Sequence, residues 1–405
     1  MHLQQYFNQL VHEVGQKIEQ KETPRRLLAY EIGRLGQNMF DHRYSVAWTG
    51  VFIPFEILQA MGLASFFVEF VGAILAGSGL VGNFVQIAEN EGYSTDGCAY
   101  HKAVIGASMS GLLPKPDVLI GASIPCDGGL KTMYVLGDLA QQPVYSLQIP
   151  YQCSAENISY LVAQFHEMCQ HVTRQTGRVL DHDQLRENIQ RANESRRLLV
   201  ELYELSKIVP SPITTSDLKN FAITFALLSG TEAGINVAQA FVSEMKKRSA
   251  RRTSIQDDEK YRLLWIQNRI QFPNTLLDIL SQKYQAKLVI DELNYIYWDE
   301  LDAHNAFETL AVRLINHPFN GPLHRRLDVL RKLAQDYQIQ GVINPAHWGC
   351  RQSCGARRLF HQLFDELEIP IIDLDVDCVD DRNFSEGQML TRLESFMEII
   401  EKRKG

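Results

Sequence analysis

Apolar and polar positions along this chain follow two alternating patterns. Short apolar runs of β type recur in both halves, and stretches with helical spacing separate them. In the first half the β-type runs are Ser45 to Ile53, Phe66 to Phe70, Asp117 to Ser123 and Pro143 to Ile149. In the second half they are Tyr261 to Ile266, Ala286 to Ile290, Gln340 to Ile343 and Pro370 to Val376. Helical patterns lead the chain up to about Asn38, and Pro54 to Gly62 opens another helix. From Asn157 to about Met245 the pattern is almost wholly helical, broken around Pro210 and Pro212. Thr214, Thr215 and Ser216 offer helix N-caps there. A polar linker, Ser249 to Lys260, precedes the second strand–helix series. Strands alternating with helices predict parallel sheets. The expected class is therefore α/β, with two domains of about four parallel strands each, flanked by helices. N-terminal and central helical segments add to them, and the chain divides into residues 1–205 and 206–405.

Composition narrows the function classes. The chain has 405 residues, more than one ordinary core accommodates. Its net charge of −8 gives no electrostatic basis for binding nucleic acid or an anionic membrane. The most apolar stretch, Val51 to Val81, is interrupted by Pro54, Glu56 and Glu69. No uncharged segment in it reaches the roughly 20 residues of a membrane helix, so it reads as buried interior. Met1 to Lys21 is polar and helix-like, with no apolar signal core. Seven cysteines are too few and too dispersed for a secreted disulfide scaffold. A reduced, cytoplasmic setting with some thiols used for metal is expected.

Six of those cysteines fall into two groups of three, Cys98, Cys126 and Cys153 in one half and Cys350, Cys354 and Cys378 in the other. Cys126, Cys153, Cys350 and Cys378 each follow a β-type run, and ligands of open parallel sheets bind beyond the strands' carboxyl ends. Cys98 begins a helix, where a thiol ionises more easily. Cys354 lies four residues after Cys350, so both could face one site from one helical turn. Thiolates from two sheets could meet across one cleft and hold an iron–sulfur cluster. Zinc is the rival metal, but structural zinc usually uses close Cys-x-x-Cys pairs, and the only short pair here is Cys350-x-x-x-Cys354. Each cysteine taken singly could equally be a small buried hydrophobe. Cys169, four residues after Phe165 on a helical face, reads as core packing.

Other motifs are weaker. Gly77-Ser-Gly-Leu-Val-Gly82 matches a dinucleotide-loop spacing, but it sits in an apolar helical stretch and reads as close helix packing. No Gly-x-x-x-x-Gly-Lys-Ser/Thr loop is present. The basic run Lys246 to Arg252 reads as a solvated helix end, with a phosphate- or partner-contacting surface as the alternative. Asp375, Asp377, Asp380 and Asp381 look like an acidic metal site, although their strand-end position favours capping. His101 and His347 adjoin candidate ligand cysteines and could move protons, or be ordinary polar loop residues.

The chain resembles the 2-hydroxyacyl-CoA dehydratase and benzoyl-CoA reductase superfamily of iron–sulfur proteins. The carrying segments are Phe52-Ile-Pro-Phe-Glu-Ile-Leu-Gln-Ala-Met-Gly62, Gly97-Cys-Ala-Tyr-His-Lys-Ala-Val-Ile-Gly106 and Leu113-Pro-Lys-Pro-Asp-Val-Leu-Ile with Cys126-Asp. His347-Trp-Gly-Cys and the segment Pro370 to Arg382, with Gln388 and Thr391 to Phe396, complete them. The resemblance implies two Rossmann-like domains with the cluster in the cleft between them. Cys98, Cys126 and Cys350 match the three cysteines that usually hold one [4Fe-4S] cubane. Cys153, Cys354 and Cys378 are extra. Six ligands resemble the double-cubane branch, which implies an [8Fe-9S] cluster, a homodimer and reduction of a small substrate. The alternatives are a single-cubane subunit of a 2-hydroxyacyl-CoA dehydratase and a non-catalytic electron carrier. The resemblance also implies a separate ATP-hydrolysing iron–sulfur activator and a small-molecule substrate, possibly a CoA thioester.

Overall fold

The structure is a computed structural model that describes residues 3–250 and 259–404. It contains two four-stranded sheets, parallel throughout. Strands β1 (Ser45–Thr49), β2 (Leu63–Phe67), β3 (Val118–Ala122) and β4 (Val144–Leu147) form the first, in spatial order β2-β1-β3-β4. Strands β5 (Tyr261–Trp265), β6 (Ala286–Asp291), β7 (Gly341–His347) and β8 (Ile371–Val376) form the second, in the equivalent order β6-β5-β7-β8. Both sheets reverse their winding at the two central strands, β1/β3 and β5/β7. That reversal leaves a crevice beyond the carboxyl ends of those strands.

The local chemistry accounts for most boundaries. β3 and β5 are buried at every position, as continuous apolar runs in a parallel sheet should be. β2 begins three residues earlier than its apolar run suggests. The helix Phe55–Ala60 ends at Gly62, whose φ of +72° turns the chain directly into the strand, and Glu69 already opens the next helix. β1 correspondingly stops at Thr49, short of Ile53. β7 runs past the expected Ile343 and through Pro345 to His347. Its pairing with β5 ends at Ile343, and from there it pairs with β8 alone. A proline is tolerated where one side of the strand is free. The extension carries His347 to the tip of the sheet.

The central helical region comprises Ala155–Thr176, His182–Ser206, Thr215–Leu228 and Glu232–Ala250. Asp217 accepts from the backbone N–H of Thr214 while the Thr214 hydroxyl accepts from that of Asp217, a reciprocal helix-start box. Arg25 and Arg248 both pair with the Asp217 carboxylate at 2.8 Å, which ties the N-terminal helix Pro24–Asn38 to the central ones. Within the basic run Lys246 pairs with Glu201 and Arg248 with Asp217 and Glu244, while Lys247 is exposed. Arg251 and Arg252 lie outside the described residues, as does most of the polar linker. Gly77 to Gly82 is not a continuous helix but the turn between Glu69–Gly77 and Val81–Asn90, with φ of +71° at Gly79.

The largest apolar core runs from one sheet region to the other, from Val46 and Trp48 to Leu374 and Phe396. A second core covers the other face of the first sheet and includes Phe307, Leu310 and Ile315 from the helix Ala306–Ile315. No helix among the described residues is long and apolar enough to cross a membrane.

Candidate metal centre

Cys98, Cys126, Cys350, Cys354 and Cys378 gather where the ends of the two sheets meet, and Cys153 stands apart from them. Cys98 is the N-cap of the helix Ala99–Met109, and Cys126 that of Asp127–Ala140, just beyond β3. Cys350 stands beyond β7 and caps the short helix Arg351–Cys354. Gly349 brings the two halves together. Its φ is +69°, and a Cβ there would lie 2.4 Å from the Cys98 backbone nitrogen, so only glycine fits.

The sulfurs differ in how they are hydrogen-bonded. Cys126 Sγ accepts the Gly129 backbone N–H at 3.3 Å. Cys98 Sγ lies 3.2 Å from His347 Nε2, and Cys350 Sγ accepts from Gln267 Nε2 at 3.3 Å. Cys354 and Cys378 do the opposite. Cys354 Sγ donates to the His347 carbonyl at 3.3 Å, and Cys378 Sγ faces the Asn268 carbonyl at 3.8 Å. Cys153 is exposed, and its sulfur has no hydrogen-bond partner among the described residues. Cys169 is half-buried on the second core, as its helical spacing suggests, and burial pushes its thiol up to about 12.

Electrostatics draw Cys378 into the same neighbourhood as Cys98 and Cys350. Burial pushes the Cys98 thiol well up, and Cys350, Asp377 and Cys126 push it in the same direction. Burial also raises Cys126, with Cys350 and Glu69 adding to it. Cys378 is raised by burial, then by Asp377, Cys350, Cys98 and Cys354. Cys350 is a neighbour that raises each of Cys98, Cys126 and Cys378, so these enclosed thiols share one surrounding. Among the described residues no three His, Cys, Asp or Glu side chains converge on a point where one metal ion could sit. Thiols drawn from both halves of the chain are the kind of donor set that a multi-iron cluster takes, each on a different iron.

The histidines occupy different settings. His347 is fully buried, and burial pushes it down to about 4, so its ring is neutral. Its Nδ1 accepts the Cys378 backbone N–H at 2.9 Å. His101 lies against Gly128, and burial, with a contribution from His347, pushes it down to about 4. Asp375, Asp377 and Asp380 have structural partners, and Asp381 is exposed in the turn after β8. Asp375 pairs with Arg357 and Arg392, Asp377 accepts the Val379 and Asp380 backbone N–H groups, and Asp380 pairs with Arg382. Arg382 also reaches Glu89 at 3.0 Å, and Glu89 holds the buried Lys102 at 2.7 Å. This chain of charges clamps the Cys98 helix to the loop after β8.

Sequence reasoning missed Glu69 at the site, although a lone carboxylate inside an apolar run was the available signal. A Cβ on Gly129 would lie 3.2 Å from Glu69 Oε1 and 3.8 Å from Cys126 Sγ, which places the carboxyl beside that thiol. Glu69 Oε2 has no hydrogen-bond partner among the described residues, and burial pushes the group up to about 7. The folded protein then binds more protons than the unfolded chain between about pH 4.3 and 7, so Glu69 makes stability fall as pH rises through that window. Glu69→Gln is expected to flatten the thermal midpoint between about pH 5 and 7. An unchanged slope would show that Glu69 is ionised in the fold.

Comparison with known proteins agrees with this picture. Residues 50–400 match the family model described as 2-hydroxyglutaryl-CoA dehydratase, D-component. The chain is 25% identical over 376 residues to the (R)-phenyllactyl-CoA dehydratase alpha subunit of Clostridium sporogenes, covering 89% of this chain and 90% of that one. It is 23% identical to the (R)-2-hydroxyisocaproyl-CoA dehydratase alpha subunit of Clostridioides difficile, over 89% and 91% of the two chains. Against a benzoyl-CoA reductase subunit of Thauera aromatica the identity is 24%, over 80% and 81%. With a family match that takes in seven of the eight strands and every candidate cysteine, the chain belongs to the 2-hydroxyglutaryl-CoA dehydratase D-component family and is an enzyme of that dehydratase and reductase type.

Proposed function

We propose that this chain is the cluster-bearing subunit of a 2-hydroxyacyl-CoA dehydratase, with Cys98, Cys126 and Cys350 holding one [4Fe-4S] cluster. The observation that carries the reading is the direction of the sulfur hydrogen bonds. These three sulfurs face N–H groups, as thiolate ligands do, whereas Cys354 and Cys378 face carbonyls, as thiols do. The relatives supply the substrate class, because the acyl-CoA dehydratases among them are named for thioesters of 2-hydroxy acids. They also supply the assembly, since each is named as one subunit of a larger enzyme. A second subunit and an ATP-hydrolysing iron–sulfur activator are the proposed partners.

When bound, the cluster would supply low-potential single-electron chemistry and an iron with an open position. The chain's own residues do the rest. Both domains contribute thiols, and Cys378 is buried away from water with Cys98 half-buried beside it. Glu69 and His101 lie beside Cys126 on the first domain and are the candidates to hold or move a proton there.

The double-cubane reading keeps one observation in its favour. Cys354 and Cys378 both lie within electrostatic reach of Cys350. It needs Cys153 as well, which stands exposed on the outer rim. Iron analysis of protein purified without oxygen separates the two. About four irons per chain, unchanged in Cys153→Ser, is the expected result for a single cubane. About eight irons, reduced in Cys153→Ser, would overturn it. A homodimer active without a second subunit would count against the dehydratase assignment.

A further inference from the structure

The two side chains that face the Cys98 and Cys350 sulfurs are each locked in one orientation by a second hydrogen bond. His347 Nδ1 lies 2.9 Å from the Cys378 backbone nitrogen. A backbone N–H can only donate, so Nδ1 is the acceptor. A neutral imidazole carries its single hydrogen on the other nitrogen, and Nε2 is the atom 3.2 Å from Cys98 Sγ. Gln267 is locked by the same logic. Its Oε1 faces Arg326 Nη2 at 3.5 Å, and a guanidinium has no acceptor. The amide nitrogen must therefore be the end that faces Cys350 Sγ, at 3.3 Å.

The supports are themselves rigid. Arg326 is fully buried, pairs with Glu292 through Nη2 at 2.7 Å, and lies between the rings of Phe319 and Phe360. Glu292 Oε2 in turn accepts the Gln267 backbone N–H at 3.1 Å. Gln267 stands just beyond β5 with φ of +55°, a backbone conformation that side chains other than glycine rarely adopt. His347 is held by the Ser353 hydroxyl on its backbone N–H and lies edge-on to Tyr100. Gln267 and His347 thus extend from β5 and β7, the two strands that flank the crevice of the second sheet.

We infer that His347 and Gln267 are positioning residues that aim fixed N–H groups at the Cys98 and Cys350 sulfurs and so raise the reduction potential of the cluster they bind. This rests on the cluster reading above. Hydrogen bonds to ligand sulfur stabilise the reduced, more negatively charged state, so removing one moves the potential downward. The arrangement also assigns Cys378 a role through its backbone N–H, which fixes the His347 tautomer, and not through its sulfur.

The test uses the iron-loaded protein, purified without oxygen, with iron per chain and midpoint potential by EPR-monitored titration as readouts. Glutamine places an amide nitrogen near the Nε2 position of histidine, whereas asparagine places one near Nδ1. His347→Asn and Gln267→Leu are expected to shift the midpoint to more negative values with iron retained, and His347→Gln to stay close to the parent. Iron lost from His347→Asn but kept by His347→Gln would also support the inference. Parent-like potentials in both His347→Asn and Gln267→Leu would overturn it. So would equal iron loss from His347→Asn and His347→Gln, which would mark His347 as a packing residue. A parent protein without iron would sink the cluster reading itself.

Discussion

Cys350→Ser should strip the protein of nearly all its iron, from about four atoms per chain to almost none. Cys350 is the hub of the site. It is an electrostatic neighbour of Cys98, Cys126, Cys354 and Cys378, and its sulfur receives the Gln267 amide. It is also the second domain's one sulfur on the receiving side of an N–H bond among the candidates. A serine hydroxyl does not ionise in the accessible pH range, and two remaining thiolates from the first domain leave the cluster open on one side. Cys126→Ser should do the same, because Cys126 caps a helix whose Gly129 N–H already faces the sulfur. Cys354→Ser and Cys378→Ser should keep their iron, since their sulfurs face carbonyls. Iron and sulfide analysis with the visible spectrum checks all four variants. A Cys350→Ser protein that retains its full iron would end the three-ligand assignment.

The strand–helix alternation was enough to read both sheets from the chain, because parallel strands are buried on both faces and appear as uninterrupted apolar runs. Cys98 reads from the sequence as a helix start, whereas Cys126 reads only as a residue after a strand, and the structure makes both helix N-caps. Cys153 shows the limit of that logic. It follows an edge strand, β4, as Cys378 follows the edge strand β8, yet Cys153 is exposed and Cys378 is buried beside Cys98 and Cys350. Strand order is set by long-range pairing that no local pattern encodes. Gln267 was within reach, one residue past an apolar run, yet glutamine carries no chemical signature of its own. Its role appears only once Arg326, Glu292 and Cys350 are brought together from three distant segments. His347 was noticed for its nearness to Cys350 in sequence, whereas the structure gives it Cys98 as its sulfur partner, 249 residues away.

The fold around the first sheet should depend sharply on one ion pair that joins the two halves of the chain. Glu56 is almost fully buried in the first turn of the helix Phe55–Ala60, and Arg313 from the helix Ala306–Ile315 clamps its carboxylate with two bonds of 2.8 Å. Burial alone would raise the Glu56 carboxyl, but the Arg313 charge and hydrogen bonds outweigh it and hold the group below its ordinary value. The Glu56 backbone carbonyl accepts from Asn188, and the Ser229 hydroxyl reaches its carboxylate, so four chain segments meet at this residue. Arg313→Met removes the counter-charge and leaves a carboxylate enclosed among apolar groups, a change that costs about 3–5 kcal/mol. The loss should be read from chemical denaturation near neutral pH. Because the folded Glu56 titrates below the unfolded one, the pair stabilises fully above the ordinary glutamate range and is lost as pH falls through the folded value. The penalty of Arg313→Met should therefore shrink in acid. Glu56→Leu combined with Arg313→Met removes both charges and should recover much of the loss, since an apolar pair of similar volume is often as stable as a buried ion pair. A double variant as unstable as Arg313→Met alone would mean that the clamp's value lies in its geometry and not in charge compensation.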